Sequence, residues 1–126
     1  MLEPRRLPDG TPVGAVKGSL QLRETIANCP AVVGVFTGHR HLNRISVVRD
    51  YLVADCGPLT VYPMGFREVW LKDDGYFSTK WHTLDSPEAV QASYDLQGEE
   101  QSRRREGEEW DMNAEILQPR LHDLWA

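Results

Sequence analysis

One stretch decides the fold class: AVVGVF at residues 31–36, which Thr37 joins to GHRH at residues 38–41. The run 31–36 is apolar without alternation, a pattern typical of a strand buried on both faces of a sheet. A helix should precede it, because apolar residues recur at helical spacing between Ser19, a candidate N-cap, and Pro30, which ends the helix. A helix followed by a buried strand predicts an α/β fold.

The two histidines of the second segment, His39 and His41, are candidate metal ligands. Imidazole nitrogen binds Zn, Fe, Mn or Ni. Residues i and i+2 can face one site on an extended or turned segment, but not on an α-helix. Gly38 is expected to let the chain turn tightly as it leaves the strand. Because catalytic centres usually have about three or more protein ligands, further donors must come from elsewhere in the chain or from outside it.

The segment after the histidines predicts two strand pairs. Strands are expected at 44–48 and 51–54, joined by a turn at Arg49 and Asp50. After a loop at 55–65, strands at 66–72 and 76–83 should pair across the DDG turn at 73–75. An Asp-Gly turn between alternating runs is a strong hairpin signal.

The chain divides into three parts: an irregular lead at 1–17, a middle at 18–85 and a helical, charged tail at 86–126. The lead is punctuated by proline and glycine. In the tail, Ser86 as N-cap, Pro87 at the first helical position and Glu88 in the first turn predict a helix that runs to 107, with a weak point at Gly98. Beyond that helix the apolar residues show no clear period.

The segment from 18 to about 107 resembles the C-terminal part of a calcineurin-like metallophosphoesterase. The matching features are an apolar strand running into GHRH at 38–41, the segment YPMGFR at 62–67, and the turn at 73–75. The resemblance implies the C-terminal portion of a layered αββα sandwich, with a mixed or antiparallel sheet and flanking helices. In that family a G-H-x-H motif closes a two-metal centre. Carried over, His39 binds one divalent ion and His41 the other, with Mn, Fe, Zn and Ni not distinguished.

The family's earlier motifs, which supply the other metal ligands, are missing from this sequence: D-x-H, G-D-x-x-D, G-N-H followed by an acid, and an isolated histidine. The resemblance therefore implies part of an enzyme that hydrolyses phosphate mono- or diesters, with this chain alone inactive. The expected partners are the phosphoester substrate of the complete enzyme and either a complementary N-terminal fragment or further copies of this chain. A non-enzymatic interaction module and a small metal-binding accessory protein remain open.

Other potential donors carry weaker expectations. His82 and His122 are expected to be structural or exposed rather than metal ligands. Asn43 should cap a turn and Asp50 should sit in one, whereas Asp55 stays open as a donor.

Two arginines, Arg40 and Arg67, could hold a phosphate bidentately, although a surface ion pair is the default for an arginine. The run RRR at 103–105 is flanked by five glutamates and is expected to form a solvated, self-paired helix face.

Composition excludes several classes of protein. A net charge of −5 argues against a dedicated nucleic-acid binder. The two cysteines, Cys29 and Cys56, do not form a disulfide framework, and no apolar leader precedes the first motif, so the cytoplasm is the expected compartment. The longest apolar run is far too short to cross a bilayer, so no membrane partner is expected.

Overall fold

The computed structural model describes Pro8 and residues 18–125 of the 126-residue chain. Apart from Pro8, the irregular lead expected at 1–17 lies outside the described residues. Within them the protein is mixed α/β, with five helices and two small, mostly antiparallel sheets. The elements, in chain order, are α1 (Ser19–Ala27), β1 (Gly34–Thr37), β2 (Arg44–Val48), β3 (Tyr51–Asp55), β4 (Gly65–Leu71), β5 (Tyr76–Thr83), α2 (Pro87–Gln97), α3 (Glu99–Glu106), α4 (Glu109–Met112), β6 (Ala114–Leu117) and α5 (Pro119–Trp125).

The first sheet has the order β1-β3-β2, with β1 parallel and β2 antiparallel to the central strand β3. Because β1 and β3 are parallel, their carboxyl ends lie side by side, and Thr37 is in register with Asp55. The Thr37 hydroxyl donates a hydrogen bond to the Asp55 carboxylate, and the Cys56 amide donates to the Thr37 carbonyl at 2.9 Å. The chain therefore leaves β1 directly beside the end of β3.

The expectation of a strand at 31–36 buried on both faces is wrong. The strand spans Gly34–Thr37, none of its residues is buried, and Phe36 is 55% exposed. In the part of the chain that the structure describes, β1 is an edge strand paired with β3 alone. An apolar run without alternation shows that both faces carry apolar side chains, but it does not show that both faces are covered. The core strand is β3 instead, since Tyr51, Leu52 and Ala54 are each 1% exposed.

Both predicted strand pairs are confirmed. Strands β2 and β3 pair antiparallel across the turn at Arg49 and Asp50, and β4 pairs with β5 across residues 73–75. Gly75 has φ +88, and a Cβ there would come within 2.6 Å of the His122 Cβ, so both the turn and the packing require glycine. The third strand of this second sheet, β6, was not predicted. The sheets meet where Phe36 stacks on Phe77, with ring centroids 6.0 Å apart.

The predicted helices form close to their expected limits. Ser86 is the N-cap of α2, followed by Pro87 and Glu88 as predicted. Gly98, with φ +82, separates α2 from α3 at the expected weak point, and α3 ends before residue 107. The first helix, α1, ends two residues before Cys29, at Ala27.

The segment after residue 107, which the sequence left unplaced, closes the fold through Arg120. This side chain is only 5% exposed. It donates at 2.7–3.0 Å to four backbone carbonyls in and after α1, and at 2.5 Å to the Asp50 carboxylate. That last hydrogen bond lowers the pKa of Asp50, which sits in a turn as expected. The four carbonyls belong to Ile26, Ala27, Cys29 and Val32.

Candidate metal-ligand loop

Residues 38–43, called here the histidine loop, connect β1 to β2 and carry both candidate ligands. His39 has φ 73 and His41 has φ 56, a left-handed backbone that non-glycine residues adopt rarely. The Arg40 amide donates to the Gly38 carbonyl at 2.9 Å, which closes a three-residue turn centred on His39. Gly38 itself has no positive φ. The left-handed backbone of this loop is therefore supplied by the two histidines rather than by Gly38.

The loop is fixed at its far end by Asn43, which is 2% exposed. The Asn43 amide donates to the Arg105 carbonyl at 2.8 Å, and its side-chain oxygen accepts from the Gly57 amide, also at 2.8 Å. A Cβ at Gly107, where φ is +81, would lie 2.6 Å from the Asn43 carbonyl. Asn43 thus joins the loop to two distant segments rather than simply capping a turn.

Both histidine side chains are exposed. Neither imidazole makes a hydrogen bond to another described residue, so both rings can accept an external ligand. Asp55 lies at the neighbouring strand end, with its carboxylate held by Thr37. Residues 18–125 contain no group of three or more His, Cys, Asp or Glu arranged to hold a metal ion. The loop therefore presents two exposed imidazoles on one sharply turned segment, without a third described donor grouped with them.

The other two histidines have partners outside the loop. The His82 ring nitrogen is 2.6 Å from the Glu68 carboxylate, and the ring stacks on Phe66 with centroids 5.1 Å apart. His122 is exposed on α5, with its ring nitrogen 3.6 Å from the Asp123 carboxylate. Each has a local partner on its own element or hairpin.

Arg67 does not serve as a surface ion pair and is not free to hold a phosphate. Its guanidinium donates to the Thr79 hydroxyl at 3.0 Å and to the backbone carbonyls of Asp111 and Met112 at 2.6 and 3.3 Å. Burial lowers its pKa. Arg67 therefore joins α4 to the second sheet.

The arginines at 103–105 are only partly self-paired. Arg103 forms an ion pair with Glu99 at 2.6 Å, whereas Arg105 donates to the neutral Gln97. The histidine loop and α3 line an open pocket of about 290 Å³. Its lining residues are His39, Arg40, Leu42, Gln101, Arg104 and Arg105. Sequence reasoning missed this grouping, because the contact between Asn43 and Arg105 that creates it joins segments far apart in the chain.

A larger cleft of about 630 Å³ lies between α1 and the outer face of the first sheet. Its walls are mainly apolar, with Leu22 and Ile26 on the helix and Val35 and Val53 on the strands. Thr37, Asp55, His39 and Arg40 line it at the carboxyl end of β1 and β3, and other polar residues line it on α1 and β2. Apolar walls with a few convergent polar groups are typical of small-molecule sites.

The chain matches no protein-family model, and neither a curated protein nor a solved structure is significantly similar to it.

None of the helices within the described ranges is long and apolar enough to cross a membrane.

Proposed function

We propose that this chain supplies two metal ligands, His39 and His41, to a phosphoesterase centre of the calcineurin-like class. One observation carries the proposal: both residues have a positive φ and an exposed side chain, and they follow the carboxyl end of a parallel strand. A left-handed non-glycine backbone costs about 1–3 kcal/mol, and such residues cluster at active sites and ligand clamps. Two of them one residue apart, both histidines, support a ligand role.

The layer arrangement supports the same class. Helix α1 lies over the outer face of the first sheet, and the inner face meets the second sheet through Phe36 and Phe77. Helix, sheet and sheet in this order correspond to three layers of an αββα sandwich. We assign the chain to the C-terminal portion of that fold.

Within the proposed centre, the described residues bind the metal ions and hold the ligand loop in position. Neutral imidazole is the ligand form of His39 and His41. Asn43, held by Gly57 and Arg105, fixes the position at which the loop returns to the sheet. The chemistry that two divalent ions supply at such a centre is activation of water and stabilisation of charge on the phosphoryl oxygens. The remaining ligands come from polypeptide other than the described residues, in the same protein or in a second chain.

The second candidate is a non-enzymatic interaction module, which the outer face of the second sheet favours. Phe66, Trp70 and Leu117 lie on that face and are 52%, 46% and 52% exposed. Glu68 lies between Phe66 and Trp70 on this face, so an interface here would combine apolar and charged contacts.

Hydrolysis of an aryl phosphate tests the proposal. The purified chain, supplied with Mn²⁺, Fe²⁺, Zn²⁺ or Ni²⁺, should show no turnover. A polypeptide that provides the D-x-H, G-D-x-x-D and G-N-H motifs should restore it. His39→Ala or His41→Ala should then abolish the restored activity, with His122→Ala as the matched control. Robust hydrolysis by the chain alone would contradict the partial centre, and restored activity that survives both loop substitutions would contradict the ligand role.

A further inference from the structure

We propose that the pocket between the histidine loop and α3 binds a phosphate group. The assignment of that phosphate rests on the proposed function: it would be a second phosphate of the substrate, beside the one being hydrolysed. The substrate class is then small phosphoesters that carry at least one additional phosphate.

The lining of this pocket is positively charged, whereas the chain as a whole is negatively charged. The protein carries a net charge of −5, yet Arg40, Arg104 and Arg105 all line the pocket and no acidic residue does. A guanidinium presents a planar fork of donors that matches phosphate oxygens, often bidentately. Three of them at one pocket of about 290 Å³ create a site for an anion of phosphate or pyrophosphate size.

Three of the acidic residues around the pocket have partners of their own. Glu99 pairs with Arg103, and Glu106 accepts a hydrogen bond from the Tyr62 hydroxyl at 3.0 Å. The Asp111 carboxylate accepts from the backbone amides of Ile45 and Glu108 at 2.8 and 3.0 Å. Among the described residues, Arg40 and Arg104 form no ion pair. Glu100 lines a neighbouring hollow with Arg104, and Glu108 lines another with both arginines, but neither carboxylate forms an ion pair with them.

An arginine in the last turn of a helix also interacts favourably with the helix dipole, which accounts for part of the run at 103–105. That explanation does not extend to Arg40, which belongs to a different element. The hydrogen bond from Asn43 to the Arg105 carbonyl holds the two elements together, so the arginines converge without a ligand. Such preorganisation lowers the cost of binding an anion.

The position of His39 connects the pocket to the proposed centre. His39 lines both this pocket and the 630 Å³ cleft. A phosphoester held at His39 could therefore place a second phosphate against Arg40 and Arg104 while its organic group lies in the cleft.

Isothermal titration calorimetry of the chain with inorganic pyrophosphate, in the presence of EDTA, tests anion binding by the pocket without any metal ion. Wild type should bind pyrophosphate more tightly than monophosphate. Arg40→Gln and Arg104→Gln should each weaken pyrophosphate binding about tenfold, because each removes a charge-assisted contact. Arg49→Gln, which makes the same charge change in the turn between β2 and β3, should leave the affinity unchanged. Arg40, Arg104 and Arg49 are all exposed, and substitutions at such positions usually leave folding intact.

Absence of pyrophosphate binding, or an equal loss of affinity in Arg49→Gln, would contradict the proposed phosphate site. Binding of a single-stranded oligonucleotide without binding of pyrophosphate would overturn it as well. Because EDTA removes metal ions, these outcomes are independent of the metal-ligand proposal, which the aryl phosphate assay tests separately.

Discussion

At the scale of single residues, Asn43 determines where the histidine loop sits. It is almost fully buried, and its side-chain oxygen accepts hydrogen bonds from the Gly57 amide and, at 3.4 Å, from Arg67. A short polar residue after a turn usually serves the turn itself. Here its partners come from three other segments, so its role depends on tertiary structure.

Asn43→Ala should lower the free energy of unfolding by about 1–3 kcal/mol, because it leaves the partly buried Gly57 amide without its acceptor. Chemical denaturation measures the loss. Asn28→Ala, at the exposed C-cap of α1, is the matched control and should change stability by less than about 0.5 kcal/mol. Equal losses in the two variants would contradict the role assigned to Asn43.

At the scale of elements, the loop before β4 is bound to the α2–α3 pair through Tyr62. Its amide donates to the Ser93 hydroxyl at 2.7 Å, its ring meets Tyr94 edge-on at 5.1 Å, and its hydroxyl donates to Glu106. Burial, and then the Glu106 carboxylate, raise the pKa of Tyr62 to about 12. These contacts of Tyr62 hold α3 against the rest of the protein and so help to form the pocket between the histidine loop and α3.

The raised pKa predicts a loss of stability in alkali. The folded state holds the Tyr62 proton more tightly than the unfolded chain, whose tyrosines titrate near pH 10. The stabilisation is therefore complete below about pH 10 and is lost as the pH rises towards about 12. Denaturation across this interval should show a smaller decline for Tyr62→Phe than for wild type. Parallel declines would contradict the assignment.

At the scale of the whole molecule, elements with local sequence signals were predictable, and the segment after residue 107 was not. Gly75 follows two aspartates between alternating strands, and Ser86 and Pro87 open a helix by their own backbone preferences. By contrast, β6 exists because it pairs with β5, and the hydrogen bonds of Arg120 span 70 to 94 residues of sequence. The candidate ligands could be named from their motif. The convergence of Arg40 and Arg104 could not, because it arises from contacts between distant segments.

Arg120→Met should be strongly destabilising, by about 3 kcal/mol, because it removes the donor from four carbonyls and one carboxylate while preserving most of the side-chain volume. Thermal and chemical unfolding measure the effect, with Arg23→Met on the exposed surface of α1 as the control. A loss no greater than that of the control would show that the tail does not close the fold.

The open edge of β1 predicts self-association. The other edge strand, β2, is covered by α4, where the Asp111 carboxylate accepts from the Ile45 amide. No described residue covers β1 in this way. Unpaired strand edges pair with other chains, and a charge on the edge suppresses this. Sedimentation at micromolar concentration should show oligomers, reduced in Phe36→Lys and unchanged in Val47→Lys on β2. A compact wild-type monomer would contradict the prediction.

The central claim, that His39 and His41 act together as metal ligands, is tested most directly by NMR of the imidazole rings during titration with Zn²⁺ at neutral pH. The chain has four histidines, so His82 and His122 serve as internal controls. Signals of His39 and His41 should respond together, with weak affinity, and the response should reverse on acidification because the ligand is neutral imidazole. A response confined to His82 or His122, or a His41 response that is unchanged in His39→Ala, would contradict the claim.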